Sequence, residues 1–249
     1  DPIPSRGLGD VYKRQVRQVA QQPDGGFVLE GRGLKVPLLA RKLMLATGGH
    51  PSGRTLAESL GHQVIPPVPS LFSLSLQAKT LGACSGIAVD DVSLDLKIGT
   101  LRFRQVGRVL ITHRGLSGPA TLRLSAFAAR ALHQSHYKGE LKVDWSCGLG
   151  RQGVEQTLRH WRLDKARRTL TAAKPFEHVP RRLWQALLCE VGLNSELRWA
   201  DLPLKAERQL VEILCAQRLV IQGRGPFGEE FVTCLLYTSD AADDVECVG

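Results

Sequence analysis

Apolar and polar residues alternate through the first and middle parts of the chain and switch to a helical period in the last third. That change sets the expected architecture. Residues 16–20 alternate, Pro23-Asp24-Gly25-Gly26 supplies a turn and residues 27–30 alternate again, which predicts a β-hairpin. A further turn at 31–33 leads through 34–39 into the apolar run 43–46, closed by Thr47-Gly48-Gly49. Such a run reads as a buried strand ending in a turn where backbone approaches another group closely. Residues 54–60 predict a short helix stopped by Gly61, with His62 as a helix-end residue. Pro66, Pro67 and Pro69 fix an extended linker unsuited to a central strand.

From Ser70 the pattern breaks into short strands at 71–76, 87–94, 95–98, 101–105 and 109–112, with Gly99 at a turn, which suggests a small β-barrel or curled sheet. Leu116-Ser117-Gly118-Pro119 reads as a helix entrance, capped by Ser117 or Gly118 with Pro119 at the first helical position. The helix runs to about Leu132 and buries Leu122, Leu124, Phe127, Ala128, Ala131 and Leu132. Its amino end faces His113 and Arg114, either as an anion site or as a tight corner where His113 bonds backbone. Residues 141–145 predict another strand, and 154–161, 164–173, 180–191 and 204–217 predict helices, with Pro180 opening the third and Gly192 closing it. Residues 219–222 and 230–233 return to strand around a turn at 223–227.

Composition narrows the class. The 249 residues are 43% hydrophobic, enough for one large core or two smaller ones. No run of about 18 apolar residues and no signal-peptide pattern is present, which reads as a soluble cytoplasmic chain without a membrane partner. The six cysteines, Cys84, Cys147, Cys189, Cys215, Cys234 and Cys247, form no Cys-x-x-Cys pair, so reduced thiols and no metal site are expected. The net charge of +9 becomes +12 over residues 16–233, because residues 1–15 carry +1 and 234–249 carry −4. Those two ends resemble translated sequencing-adapter DNA of metagenomic gene fragments and are set aside as non-native. Trp161 and Trp184 are too sparse among the basic residues to argue base stacking, and the spacing of Trp161, Trp184 and Trp199 fits core packing at least as well.

The Ala46-Thr47-Gly48-Gly49 turn, Pro66-Pro67-Val68-Pro69-Ser70-Leu71, and Thr112-His113-Arg114-Gly115-Leu116-Ser117-Gly118-Pro119 occur in an order that resembles the NAD(P)/FAD-dependent oxidoreductases of the BaiN type. In these flavoproteins a FAD-binding domain is interrupted by a large insert, and the resemblance covers about residues 16–233. It implies an α+β chain: a partial FAD-binding, Rossmann-like α/β segment and linker at 16–69, then a β-barrel-like insert at 70–150. A helical sub-domain at 151–218 interrupts that insert, whose return strand lies at 219–233. The chain would be a fragment, starting after the pyrophosphate-binding turn and stopping before the flavin site is complete. The loop after Gly49 is shorter than in the commoner family pattern.

The resemblance further implies FAD as cofactor, NAD(P)H as a possible electron donor and a small-molecule substrate. Thr47, Gly48 and Gly49 are the candidate FAD contacts, with the Thr47 hydroxyl available to a phosphate or ribose oxygen, and His113 and Ser117 are the substrate-side candidates. No catalytic residue is assigned, and the fragment alone is expected to be inactive. A rival reading of the +12 body is a basic RNA- or anion-binding module without catalysis, weakened by replacing Arg167 and Arg168. The flavoenzyme reading expects no nucleic-acid partner.

Overall fold

The structure, a computed structural model, describes residues 15–194, 196–225 and 231–237. It divides into two compact units, one of residues 1–67 with 234–249 and one of residues 68–233.

The first unit holds an antiparallel meander of β1 (Gln15–Gln21), β2 (Phe27–Arg32) and β3 (Leu38–Ala40). Asp24 Oδ1 accepts the Gly26 N–H at 2.9 Å in the β1–β2 turn, where Gly25 adopts φ +85°. Helix α1 (Pro51–Ser59) begins earlier than its pattern predicts, because His50 caps it: the Ser52 N–H donates to His50 Nδ1 at 3.2 Å, and Pro51 follows at a position that needs no N–H. Val19, Leu29 and Leu56 form a small core, against which Leu43 and Leu45 are partly buried. Met44 between them is 85% exposed. The run 43–46 is therefore not a buried strand. It has no ladder partner among the described residues, and its alternating exposure is that of an extended segment covered on one side. The strand pairs of β1–β3 are all antiparallel, so they do not display the parallel pairing of a Rossmann-like segment.

The proline-rich stretch is also a strand. β4 (Gln63–Ser70) pairs with β11 (Phe231–Tyr237) in a two-stranded sheet, where both strands are edges and a missing N–H is tolerated.

The second unit is built on a closed antiparallel barrel of β5 (Leu74–Leu76), β6 (Ala88–Ile98), β7 (Leu101–Thr112), β8 (Gly115–Ser117), β9 (Gly139–Asp144) and β10 (Gln217–Arg224), in the order β10-β5-β8-β7-β6-β9. The four segments read separately at 87–94, 95–98, 101–105 and 109–112 are one long hairpin. Alternation continues through the charged positions, with Lys97, Arg102 and Arg104 facing outward and Leu94, Leu96, Val109 and Ile111 at 0% exposure. The only departure is a bulge between Val89 and Val92, with Asp91 at φ +53°.

Seven helices accompany the sheets among the described residues. α2 (Lys79–Gly82), α3 (Pro119–Phe127) and α4 (Ala129–Gln134) lie beside the first half of the barrel, while α5 (Gly150–Asp164), α6 (Arg181–Glu190) and α7 (Leu204–Ala216) fill the segment between β9 and β10. The stretch expected as one helix to Leu132 breaks at Ala128. The buried face of α3 is Ala120, Thr121, Leu124 and Ser125, which leaves Phe127 outside it at 62% exposure.

Of residues 164–173, expected as a helix, only Asp164 is helical, as the last residue of α5, and 165–173 are turns. Their backbone is bound elsewhere: the Leu170 N–H donates to Leu197 O, the Trp199 N–H to Arg168 O, the Trp184 ring N–H to Leu170 O at 2.8 Å and the Trp199 ring N–H to Ala173 O at 3.0 Å. The Trp184 and Trp199 rings stack at 6.4 Å and are fully buried, in a core that runs without interruption from barrel to helices. The buried Glu207 carboxylate on α7 faces Arg162 at 3.1 Å and Arg159 at 4.0 Å. Glu207→Ala, which strands the half-buried Arg162, is expected to lower the unfolding free energy by about 1–3 kcal/mol in urea titration, with Glu207→Gln losing less.

Candidate functional site

Thr47, Gly48 and Gly49 join the extended run to the first turn of α1 and are all exposed. Gly48 has φ +61°, and a Cβ placed on Gly48 or Gly49 would meet no atom within 4 Å. The backbone is thus open to a close approach from outside. Thr47 turns inward instead: its Oγ1 fills the notch where a Cβ on Gly53 would fall. Arg54 Nη1 donates to Gly49 O at 3.2 Å and ties the turn to the helix. Leu45, Ala46, Thr47, Gly48, Gly53, Arg54 and Ala57 enclose a cleft of about 200 Å³, with the guanidinium and the helix amino end giving it positive character. Gly53, Arg54 and the capping role of His50 were not singled out from the pattern, although a glycine at the first turn of a helix after Gly-Gly is a readable sign of close packing.

His113 lies in the exposed turn between β7 and β8, and Ser117 closes β8. Ser117 Oγ accepts a 2.7 Å hydrogen bond from Ser73 Oγ, and Thr112 Oγ1 donates to Gly115 O at 3.1 Å. These two bonds hold the corner. Among the described residues the His113 ring makes none, so it is not the backbone-bonded corner histidine. Gly118, at φ +91°, precedes Pro119 and starts α3 without a side-chain cap. His113 and Ser117 stand at opposite ends of β8, while Thr47, Gly48 and Gly49 belong to the other compact unit.

Cys84, Cys147, Cys189 and Cys215 are free, and among the described residues no cluster of His, Cys, Asp and Glu is placed to hold a metal ion. Burial, helped by the Asp144 carboxylate, pushes the Cys215 thiol up to about 11 from 9.0. A pKa raised on folding means that the folded state holds more proton between those values, so stability present below pH 9 declines as pH rises through 11. Cys215→Ala is expected to flatten the fall of the urea midpoint across that range, and the wild-type thiol to react slowly with disulfide reagents at pH 8.

The sequence contains two Gly-x-Gly-x-x-Gly spacings, at Gly148, Gly150 and Gly153 and at Gly223, Gly225 and Gly228. The first runs from the end of β9 into α5 and the second starts within β10, but β9 and β10 are antiparallel barrel strands, not the first strand of the parallel βαβ unit that gives this spacing its meaning.

The family model described as HI0933-like protein barrel and H2TH domain matches residues 68–232. The chain is 28% identical over 209 residues to the 3-dehydro-bile acid delta(4,6)-reductase of Clostridium scindens, covering 76% of this chain and 49% of that protein. It is 35% identical over 126 residues to the ribosomal RNA dihydrouridine synthase of Escherichia coli (46% of this chain, 30% of that protein). To the enzyme of that name from Haemophilus influenzae it is 34% identical over 123 residues (45% and 29%). The chain thus spans about half the length, or less, of the curated relatives it matches.

Proposed function

The chain belongs to the HI0933-like protein barrel and H2TH domain family, and from that premise we propose that it is the barrel-bearing part of a flavin-dependent oxidoreductase. The enzyme binds FAD and passes a hydride between it and a nicotinamide cofactor or a small organic substrate, in the cytoplasm. One observation carries this reading: the matched span, 68–232, follows the compact unit that holds the closed barrel, and the similarity to a protein named as a reductase extends over 76% of the chain.

The residues at the Thr47-Gly48-Gly49 turn fit a contact with one part of FAD. The open backbone at Gly48 and Gly49 admits a close neighbour, and Arg54 supplies a cation beside it. The cleft of about 200 Å³ is below the roughly 300–1,000 Å³ of a site that buries a whole ligand, so these residues are a contact and not the full site. When bound, FAD supplies the two-electron chemistry. Gly48 and Gly49 bring the main chain against it, Thr47 braces the turn on Gly53, and His113 and Ser117 line the substrate side.

The test is the visible spectrum of the purified full-length protein. Flavin bands are expected, and Gly48→Val is expected to reduce flavin content at least tenfold with the far-UV circular dichroism unchanged. A folded, colourless protein that takes up no added FAD overturns the reading.

A further inference from the structure

Independently of any flavin, the helical part of the second unit carries a cationic cleft of about 470 Å³. Trp161 and Lys165 from the end of α5, Arg168 and Lys174 from the turns that follow, and Arg181 at the start of α6 wall it over a floor of Ala172 and Ala173. Every ionisable residue of the lining is a cation. The volume lies within the range of sites that enclose small ligands.

Two cations of this cleft, Arg168 and Arg181, differ from the arginines of α5. Arg151, Arg159 and Arg162 are matched by Glu155, Glu207 and Glu212. Among the described residues the Arg168 and Arg181 guanidinium groups have neither an ion pair nor a hydrogen bond. Lys165 is held by Asp164 at 2.6 Å. The Lys174 ammonium donates to the main-chain oxygens of Phe176 and Glu177, which fixes it in place without neutralising it. Burial is the main cause that holds its pKa below the ordinary lysine value, with Arg181 acting the same way and the Glu177 carboxylate opposing both. α6 adds its own field, since it starts at Pro180 with no side-chain cap and no acidic residue in its first turn. Like charges gathered on a fixed frame, with a helix amino end beside them, are complementary to a phosphate group.

The tryptophan narrows the ligand. Trp161 is half-buried, stands 6.1 Å from Trp199 between ring centres at a tilt of 55°, and lines the cleft. A bare anion has no use for such a ring, whereas a nucleobase stacks on it. We propose that this cleft binds a nucleoside phosphate, with its phosphate among Arg168, Lys174 and Arg181 and its base against Trp161. The same chemistry is presented by a free nucleotide and by one residue of a single-stranded RNA. This gives the basic-module reading of the sequence a definite place, in which Arg168 lines the cleft and Arg167 does not.

The test uses the full chain, a fluorescein-labelled twelve-residue oligouridylate read by anisotropy, and AMP read by calorimetry. The double variant Arg168→Gln with Arg181→Gln is expected to weaken binding at least tenfold. For the RNA it should reduce the slope of log affinity against log salt by about 0.7, one single-strand phosphate contact being lost. Trp161→Leu is expected to weaken binding about tenfold, with Trp161→Phe restoring most of it. Lys97→Gln with Arg102→Gln removes the same charge from the outer face of the barrel, where the two residues pair across β6 and β7, and is expected to leave binding unchanged. RNA binding that AMP does not compete for assigns the site to a strand; AMP binding with the same losses assigns it to a free nucleotide. Equal weakening by the barrel-face pair, or binding of neither ligand, overturns the proposal. Near-ultraviolet circular dichroism of each variant separates a lost contact from a lost fold.

Discussion

Gly115→Ala is expected to lower the unfolding free energy by about 3 kcal/mol or more, the steepest loss for a single methyl group in the barrel. A Cβ at this position would collide with the Leu74 carbonyl oxygen and come within 3.0 Å of the Leu76 nitrogen, both rigid backbone atoms of the strand that β8 pairs with. The glycine also sits at φ +158°, so relieving the collision by rotation is obstructed by the ladder bonds on either side of β8. Since β8 has only three residues and links β5 to β7, the damage falls on barrel closure. Gly48→Ala is the contrasting case, with nothing within 4 Å and only a backbone cost of about 1 kcal/mol at φ +61°. Urea midpoints for the two variants measure the difference, and a Gly115→Ala protein as stable as Gly48→Ala would show that β5 and β8 are not held as described.

Trp184→Ala is expected to cost about 3–5 kcal/mol. The ring is fully buried, stacks on Trp199 and stands 6.1 Å from Phe176, so its removal empties the middle of the helical core. It also takes away the donor to Leu170 O, which lies in a turn segment outside any helix. Trp184→Phe keeps most of the volume and loses that hydrogen bond, for an expected cost nearer 1–2 kcal/mol. Calorimetric unfolding temperatures distinguish the two contributions. If alanine and phenylalanine prove equally mild, residues 164–173 are not anchored by the indole.

Much of the barrel was legible because alternation survives translation into structure: Leu94, Leu96, Val109 and Ile111 point inward as their spacing requires. Strand ends were less so. Runs such as Asp95 and Lys97, or Arg102 and Arg104, look like breaks in a string of letters but are the outer face of one continuous ladder. The helix expected at 164–173 failed for a tertiary reason, because its carbonyls accept from tryptophan rings and from the Trp199 and Ala200 main chain while the Leu170 N–H donates to Leu197 O, distant partners that a local period cannot reveal. Met44 shows the opposite error, an apolar residue assigned inward on a run that is covered from one side. At the candidate site, Gly48 and Gly49 announced themselves by type, while Arg54 and Gly53 acquired meaning only from the turn they touch. The cationic cleft was invisible as a unit, its members spread from Trp161 to Arg181 and mixed with arginines that are neutralised.

The last stave of the barrel arrives late. β10 joins β5 and β9, setting Ile221 opposite both Leu76 and Gly139, and the three helices α5, α6 and α7 intervene between β9 and β10 in the chain. During synthesis five staves exist with two raw edges until residues 217–224 emerge, so the nascent chain passes through a stage in which β5 and β9 invite pairing with another molecule. The helices made in that interval bury their tryptophans locally and bring α7 against β9, which aims the closing strand at its gap. Folding speed is then set by the long detour and not by the short hairpins, and a chain released before residue 217 is a template for aggregation.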